Sequence, residues 1–584
     1  MKHAGKTSGA ILAVLLVSVV ISSGSWAFAQ DGGISGSVRD LSSNRGIEGI
    51  VITVKNAGTG AVAGTGHTDM SGNYSVSIPS PGNYKVLASK LGYYIMTAPD
   101  VIELTDRIPN RTVNISMGGK AWLKEKPDGT ASASSWGTGA AKSYLIPALE
   151  IPAFLLLLNG FDRLAYPNDE ENGKKVYDTN LSTFWDHVVH GPWGVDQDAF
   201  AMNQLNHPYQ GSMYHGFARS AGLNYWESLL YANVGSFLWE TGGETTNPSI
   251  NDQIASGIGG TFFGEALFRM ASLVLEGDGD GSKPGFWREV GATVLSPPTG
   301  INRLVFGDRF KPVFPSHNPA TFWRVRFGIN QNLQPNDQIG SSTVNRYEAT
   351  ADFSMAYGLP GKPGYTYTRP FDYFHFEVTS IGNADNPFEN IMIRGLLFGK
   401  DYEAGKSYRG IWGFYGGYDY ISPNIFRVSS TSVSLGTTFQ WWLSRAVALQ
   451  GSALGGIGYA AAGNVAQLGE RDYHYGIAPQ GLLALRLIFG DRAMLDLTER
   501  AYYVTGVGGG DPGGRETINR LNMGLTVRVH GRHALGIQYV ASIRDAYYAE
   551  RASSYQTGGT VSLVYTFLGN PGFGAVEWRN ADSR

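Results

Sequence analysis

The sequence predicts a mainly β protein: an N-terminal β-sandwich, a central helical segment and a C-terminal antiparallel transmembrane β-barrel of about 12 strands. Three observations carry the barrel. From about Ala320 to Leu568 apolar and polar residues alternate, as they do along a strand with a different medium on each face. Leu521, Met523, Leu525, Val527 and Val529 share one face, and Arg520, Asn522, Gly524, Thr526 and Arg528 share the other. The segments begin near Thr321, Ser342, Arg369, Phe388, Lys406, Ile425, Ala446, Arg471, Arg492, Arg515, His533 and Tyr555. Each is long enough for the roughly 9 to 11 residues that a tilted strand needs to cross a bilayer. Their connections alternate in length. Ser444 to Arg445, Gly490 to Arg492 and His530 to Arg532 are tight, whereas Gln331 to Ser341, Ala461 to Asp472 and Gly506 to Gly514 are longer and polar. That asymmetry belongs to outer-membrane barrels and separates the chain from a soluble sandwich of the same period. Gly358 to Pro370 is a long exception on the short side.

Composition narrows the function classes. The chain has 584 residues and no Cys, which excludes disulfides, thiolate zinc sites and thiol catalysis. A net charge of -3 leaves no basic footprint, so nucleic acid is not an expected partner. Lys2, His3 and Lys6 precede the apolar run Ala10 to Ile21, and Ala27-Phe28-Ala29 offers small residues for cleavage before Gln30. Residues 1–29 therefore read as a signal peptide. Its apolar core is too short for a span, and no later stretch reaches 18 uninterrupted apolar residues. The expected destination is a Gram-negative outer membrane, with the N-terminal domain in the periplasm and outer-membrane lipids as partners.

Residues 32–118 form the first unit. Strand-like runs at Ile34 to Val38, Ile50 to Lys55, Tyr74 to Ile78 and Tyr84 to Ser89 are separated by turn clusters at Ser42 to Gly46, Asp69 to Asn73 and Pro79 to Asn83. Tyr74, Val76, Tyr84 and Val86 fall on alternating core positions. Gly36-Ser37-Val38-Arg39-Asp40, Gly46-Ile47-Glu48-Gly49-Ile50, Thr68-Asp69-Met70-Ser71-Gly72-Asn73-Tyr74, Pro81-Gly82-Asn83-Tyr84 and Gly92-Tyr93 follow in order, and this set resembles the carboxypeptidase regulatory-like domain of transthyretin-like fold. The resemblance implies a structural or interaction module rather than a peptidase, since no zinc constellation accompanies these residues. A periplasmic protein partner is expected on it.

Residues 119–135 are small and polar, as in a linker, and 136–298 change character. Tyr144 to Leu158 is apolar but interrupted by Pro147 and Pro152, which predicts a re-entrant or interfacial helix. Trp226 to Glu240 and Ile254 to Glu276 predict two further helices, the second with Gly257, Gly259, Gly260 and Gly264 available for close packing. Arg324, Arg326, His375, Glu377, Arg394, Asp496, Arg500 and Arg528 are expected to face the lumen of a 320–568 barrel. A barrel of this size can be plugged, and the helical unit is the large candidate for a plug in or below it. Residues 569–584 form a C-terminal tail.

The densest polar and aromatic stretch lies within the helical unit. Asn203, His207, Tyr209, Arg219, Glu227, Glu240, Glu244, Asn251, Asp252 and Glu265 are its candidate binding or structural residues. Over about Asp178 to Glu276 these blocks are similar to an uncharacterised family of bacterial outer-membrane proteins, a domain of unknown function. That resemblance implies no activity and no catalytic residue.

From the residues alone, His207 with Glu240 or Asp252 is a candidate catalytic base with an orienting carboxylate, able to activate water or one of Ser212, Ser228, Ser236 and Ser249. None of these serines lies in a Gly-x-Ser-x-Gly elbow. A metal reading would combine His207, His215, Glu240 and Glu244, or use His187 and His190. A mutually satisfied packing network is the stronger reading, so neither metal nor cofactor is expected. The chain is read first as an envelope protein for binding, scaffolding or restricted transport. The alternative is an outer-membrane hydrolase or acyltransferase acting on lipid or lipopolysaccharide.

Overall fold

Twelve antiparallel strands close on themselves in sequence order in the computed structural model. They are β1 (Thr321–Asn332), β2 (Tyr347–Tyr357), β3 (Phe374–Ile381), β4 (Phe388–Ala404), β5 (Tyr408–Ile421), β6 (Phe426–Trp442), β7 (Val447–Asn464), β8 (Tyr473–Phe489), β9 (Ala493–Val504), β10 (Gly514–His530), β11 (His533–Tyr548) and β12 (Ser554–Leu568), with β12 pairing back onto β1. The structure describes residues 32–578 apart from 41–45, 91–95, 99–100, 106–107, 118–141, 172, 197, 278–283, 334–337, 340–341, 344–346, 383–386, 424, 465–470, 507–513, 549–552 and 571. The expected signal peptide and linker, and most of the Gly506 to Gly514 loop, lie outside the described residues. Two strands start later than their pattern predicts. Ser342–Thr343 pairs instead with Gln338–Ile339 in a separate hairpin, so β2 begins at Tyr347. Near Arg369, Pro370 has no N–H for a ladder and Phe371 adopts φ 63°, so β3 begins at Phe374.

Hydrogen bonds between non-neighbouring strands identify the inner face. Arg324 on β1 reaches Asp496 on β9 at 2.6 Å, and Arg500 on β9 donates to Asn390 on β4 at 2.7 Å. Both cross the lumen. The expected inward residues Arg326, His375, Glu377, Arg394 and Arg528 share that face by ladder register. The opposite face carries Phe327, Ile329, Leu535 and Leu563, all more than half exposed.

Among the described residues, side chains occupy the lumen in three layers. At the short-turn end, Phe322, Ala448, Ile488, Met494 and Leu568 form an apolar layer with Phe573, Val576 and Trp578, which follow β12 and turn back into the mouth. Gln440 donates to the Val576 carbonyl at 2.6 Å, Gln450 donates to the Gly574 carbonyl at 2.7 Å, and the Arg528 guanidinium lies 5.2 Å from the Phe573 ring centroid. Arginine–carboxylate pairs occupy the middle. Ile421, Val428, Ala478, Tyr502 and Ile518 form an apolar cluster on one side of the far end. Among the described residues, cavities of about 70 and about 30 Å³ lie between these side chains.

The plug is therefore the C-terminal tail, and the helical unit, expected in or below the barrel, stands against the outer wall. Arg394 and Asp419 point inward, so Ile393, Tyr418 and Tyr420 point outward, yet all three are at most 1% exposed. Helical residues cover them. The Phe263 ring stacks on Tyr418 with centroids 6.1 Å apart, Phe200 lies 5.6 Å from Tyr420, and the Tyr418 hydroxyl donates to the Gln204 carbonyl. Outward aromatic residues on β3, β5 and β8 supply an apolar surface for docking. The lumen, lined by paired charges and capped by the tail, does not.

The helices are α1 (Leu145–Ala165), α2 (Leu181–His190), α3 (His207–Ser220), α4 (Tyr225–Gly242), α5 (Ile250–Glu276), α6 (Phe286–Leu295) and α7 (Pro297–Val305). α1 outruns the expected Tyr144 to Leu158 segment because Pro147 lies in its first turn, where a missing N–H costs nothing, and Pro152 is carried inside the helix. Asn224 and Glu227 cap α4 reciprocally. Met202–Asn206, just before α3, and Ala255–Gly259, within α5, are π-helical turns. Where α3 and α5 cross, a Cβ on Gly211 would lie 1.9 Å from the Ser256 carbonyl oxygen and one on Gly260 would lie 2.6 Å from Gly211 Cα. Only glycine fits there.

The N-terminal unit is a sandwich of two sheets. Gly32–Asp40 pairs with Asn73–Ile78 and, in parallel, with Asn110–Thr112 and Ile115–Met117. Val51–Asn56 lies between Val62–His67 and Gly82–Ser89. The expected core residues Tyr74, Val76, Tyr84 and Val86 are buried. Burial pushes the Tyr74 phenol up to about 12, and its hydroxyl donates to the Val113 carbonyl at 2.6 Å. Asp69 Oδ1 accepts from the Ser71 and Asn73 amides, which shapes the turn that Gly72 completes at φ +82°. A methyl on Gly364, in the β2–β3 connection, would meet Val51 at 3.6 Å, so the sandwich sits at the short-turn end of the barrel.

Two outcomes are expected. Residues 32–118 expressed alone should melt cooperatively and give dispersed amide resonances, because their core is self-contained; a non-cooperative melt would show dependence on the barrel. The combined substitution of Phe573, Val576 and Trp578 by Ala should lower the heat or urea needed to unfold the inserted protein while planar bilayers stay silent, because the ionic and far-end layers remain. New conductance steps would instead make the tail the seal that holds the barrel closed.

Candidate functional site between the helices and the barrel wall

The predicted site residues separate into two buried clusters, one near each end of the barrel. Near the long-loop end, the side chain of Ser249 caps the first turn of α5, accepting from the Asp252 amide at 3.2 Å, while the Ser249 amide donates to Glu240 Oε2 at 2.9 Å. Asn251 donates to Asp252 Oδ1 at 2.9 Å and to the Tyr475 hydroxyl at 2.8 Å, and its own Oδ1 accepts from the Asp196 amide at 2.8 Å. Asn203, in the first π turn, donates to Asp196 Oδ2 at 3.2 Å and to the Tyr473 hydroxyl at 3.0 Å. Glu244 accepts from the Trp239 indole at 3.0 Å and the Thr246 hydroxyl at 3.1 Å. The cluster thereby joins the α4–α5 corner and the first π turn to outward tyrosines of β8.

His207 lies at the edge of this cluster. Its Nδ1 is 3.4 Å from Ser256 Oγ and its Nε2 is 4.0 Å from Asp252 Oδ2. Ser256, His207 and Asp252 thus stand in the order of a nucleophile, a base and an orienter, but both separations exceed the roughly 2.6 to 3.2 Å of a working relay. All three are at most 6% exposed. Three of the candidate serines have other partners. Ser212 donates to the Tyr209 carbonyl at 2.5 Å, Ser249 to Asn251, and Ser236 approaches the Asp252 carbonyl at 3.5 Å.

The second cluster lies near the short-turn end and is organised by Glu265, which is fully buried. Arg219 meets both its oxygens, Nε to Oε2 at 2.7 Å and Nη2 to Oε1 at 3.1 Å. His215 Nε2 lies 3.1 Å from Oε2, and Arg269 Nε donates to Oε1 at 2.8 Å. Arg269 then continues to Asp372 Oδ1 at 3.0 Å and to the Pro370 carbonyl at 2.6 Å in the β2–β3 connection. Burial alone would raise the Asp372 carboxyl, but Arg269 and Arg369 outweigh it and hold the group below the ordinary carboxylate range. The rings of Phe268 and Phe314 lie against Arg219 at 4.5 and 4.9 Å. This is a charge-assisted tie from α3 through α5 to the barrel.

The remaining predicted residues have separate places. Glu227 caps α4 and accepts from Lys142 at 2.7 Å and the Tyr144 hydroxyl at 2.6 Å. Tyr209, nearly half exposed, packs edge-on to Phe263. The metal combination does not assemble, because eight residues of helix put His207 and His215 about 12 Å apart along α3 and His215 belongs to the Glu265 cluster. His187 faces the Thr241 carbonyl, whereas His190 faces Asp186. Among the described residues no group of three or more His, Asp or Glu is placed to hold a metal ion. Sequence reasoning missed Asp196, Ser256, Arg269, Asp372, Tyr473 and Tyr475. Arg269 carried a signal, since it lies four residues after Glu265 on the same helix face. The two tyrosines alternate at the start of β8, but alternation does not say which face a helix will cover.

Residues 192–298 match the domain of unknown function DUF3943, and residues 33–118 match the carboxypeptidase regulatory-like domain. The first match covers α3 to α5 and extends through α6. No curated protein matches the chain. Among solved structures, the NanC porin is 10% identical over 42% of this chain and 98% of its own length, with a TM-score of 0.22. The outer membrane channel DcaP of Acinetobacter baumannii is 8% identical over 42% of this chain and 96% of its own, with a TM-score of 0.20. A 3-chlorocatechol 1,2-dioxygenase from Rhodococcus opacus 1CP is 10% identical over 16% of this chain, with a TM-score of 0.12, and the chain spans 60% of that enzyme's length.

The two clusters should respond differently to loss of charge. Glu265→Gln strands Arg219 and Arg269 beside a neutral group and should cost about 3 to 5 kcal/mol, read from the heat or urea needed to unfold the inserted protein on gels. His207→Gln and Glu240→Gln should each cost about 1 to 3 kcal/mol and leave the lipid mass spectrum of the outer membrane unchanged. Parental stability combined with a lipid profile matching a deletion strain would instead make His207 and Glu240 catalytic.

Proposed function

We propose that this protein is an outer-membrane scaffold: a sealed β-barrel anchor that presents its sandwich to the periplasm and carries a helical layer on its outer wall. The observation that carries this reading is the filled lumen. The tail closes one mouth, cross-lumen pairs such as Arg324–Asp496 occupy the middle, and cavities of about 70 and 30 Å³ leave room for a few water molecules. An open diffusion pore needs a continuous water path, which these layers interrupt. The polar clusters act in this reading as packing networks that tie the helices to one another and to the wall. Catalysis on lipid draws no support from His207, whose neighbours stand beyond relay distance in a closed interior.

Residues 1–29 direct export to a Gram-negative envelope, and the even strand number returns the chain to the side from which it entered. The sandwich then offers its exposed edge and turns, among them Met70, to a periplasmic protein partner. The chain contains no Cys, so single cysteines report topology without background. A cysteine at Gly510 should react with a membrane-impermeant maleimide in intact cells, and one at Met70 only after the outer membrane is permeabilised. The reverse pattern would overturn the orientation. Purified parent protein should give silent planar bilayers, and steady large conductance would replace the scaffold by a channel.

A further inference from the structure

We infer that the helical unit is itself transmembrane, its α1, α3, α4 and α5 running up, down, up and down beside the barrel, with the outer faces of α1 and α4 against the acyl chains of the bilayer. The inference rests on the barrel being a membrane anchor.

Direction comes from the ties at each end. The Ser143 amide, just before α1, donates to the carbonyl of Ala221, just after α3, and Arg219 near that end belongs to the cluster that reaches Asp372 at the short-turn end. Near the other end of α1, Asn159 donates at 2.7 Å to the carbonyl of Gly243, just after α4. Glu240, Ser249, Asn251 and Tyr475 then link that corner to the start of β8 at the long-loop end. α5 runs the full distance, from Asn251 beside Tyr475 to Arg269 beside Asp372. At a rise of about 1.5 Å per residue, the 21 residues of α1 extend about 31 Å and the 27 of α5 about 40 Å, against about 30 Å of hydrocarbon.

Polarity runs inside out. The charged side chains of α3 and α5 are buried against one another and the wall, while the exposed positions are apolar. Every exposed residue from Leu145 to Phe161 of α1 is Leu, Ala or Phe. On α4 the exposed residues are Trp226, Leu230, Val234 and Phe237, a single stripe at helical spacing. In water such a surface would be an aggregation or docking patch. Its occupant here follows from continuity. Trp226 stacks on Phe398 of β4 with centroids 5.0 Å apart, and Phe398 points outward beside Trp412 and Phe414 of β5, which are themselves exposed. The helical stripe and the barrel's outer band form one apolar surface, so the solvent of the second is the solvent of the first. Pro152 inside α1 is tolerated in this setting, where neighbouring groups re-satisfy a freed carbonyl.

The test uses the full chain in liposomes, with nitroxide labels on single cysteines replacing Leu156, Val234, Phe414 or Met70. Leu156→Cys and Val234→Cys should prefer oxygen over a water-soluble nickel chelate as a relaxation agent, as Phe414→Cys does, with the opposite preference at Met70→Cys. If Phe414→Cys lies in lipid while Leu156→Cys and Val234→Cys lie in water, the transmembrane helical layer is wrong and the barrel stands. If Phe414→Cys lies in water, the barrel reading itself fails. Protection of Leu156 and Val234 from both agents would assign the stripe to a protein partner or a second copy and overturn the lipid assignment.

Discussion

In a hydrocarbon layer no water is at hand to satisfy a backbone N–H or C=O, so a sheet that spans it has to close on itself. The ladder from Arg324↔Leu568 to Asn332↔Thr560 provides that closure by joining the last strand to the first. Everything else depends on it. Once the sheet is closed, each side chain has one of two destinations, and ladder register decides which. Arg394 and Asp419 go to the lumen, whereas Ile393 and Tyr418 go to the wall.

Closure also creates an interior to be occupied. Buried arginines would be prohibitive alone, so they come with carboxylates: Arg326 with Asp352, Arg486 with Asp496, Arg544 with Glu516. Their mutual satisfaction gives a rigid lumen, and apolar layers at both ends keep water from competing for the pairs. The tail contributes to the lower layer with backbone carbonyls as well as rings, which suits the glutamines that face it.

The helical unit solves the same problem from outside. Its polar groups turn inward around Glu265 and Asn251, and its aromatic residues meet an aromatic stretch of wall. Close approach of α3 to α5 at Gly211 and Gly260 brings Ser212 and His215 within reach of the partner helix. Without those glycines the helices would separate, and the Arg219–Glu265 pair, held at 2.7 Å, would lengthen into a costly buried mismatch.

Much of the fold was legible in the sequence because period-two alternation, turn residues and loop-length asymmetry are local. They placed the sandwich strands and most of the barrel strands, and they put Arg324, Asp496 and Arg500 in the lumen. Of the candidate site, the residue set was legible as a dense polar block, but its division into two clusters was not, since that depends on which helix ends meet. Two features depended wholly on the tertiary structure. The tail after Leu568 has no periodicity of its own, so only the unfilled mouth explains why Phe573 and Trp578 turn inward. The site of the helices, outside rather than inside, is equally invisible in one dimension. Alternation distinguishes two faces of a strand but cannot say what covers the apolar one, because lipid and a helix packed with Phe262 and Phe263 present the same chemistry to Tyr418.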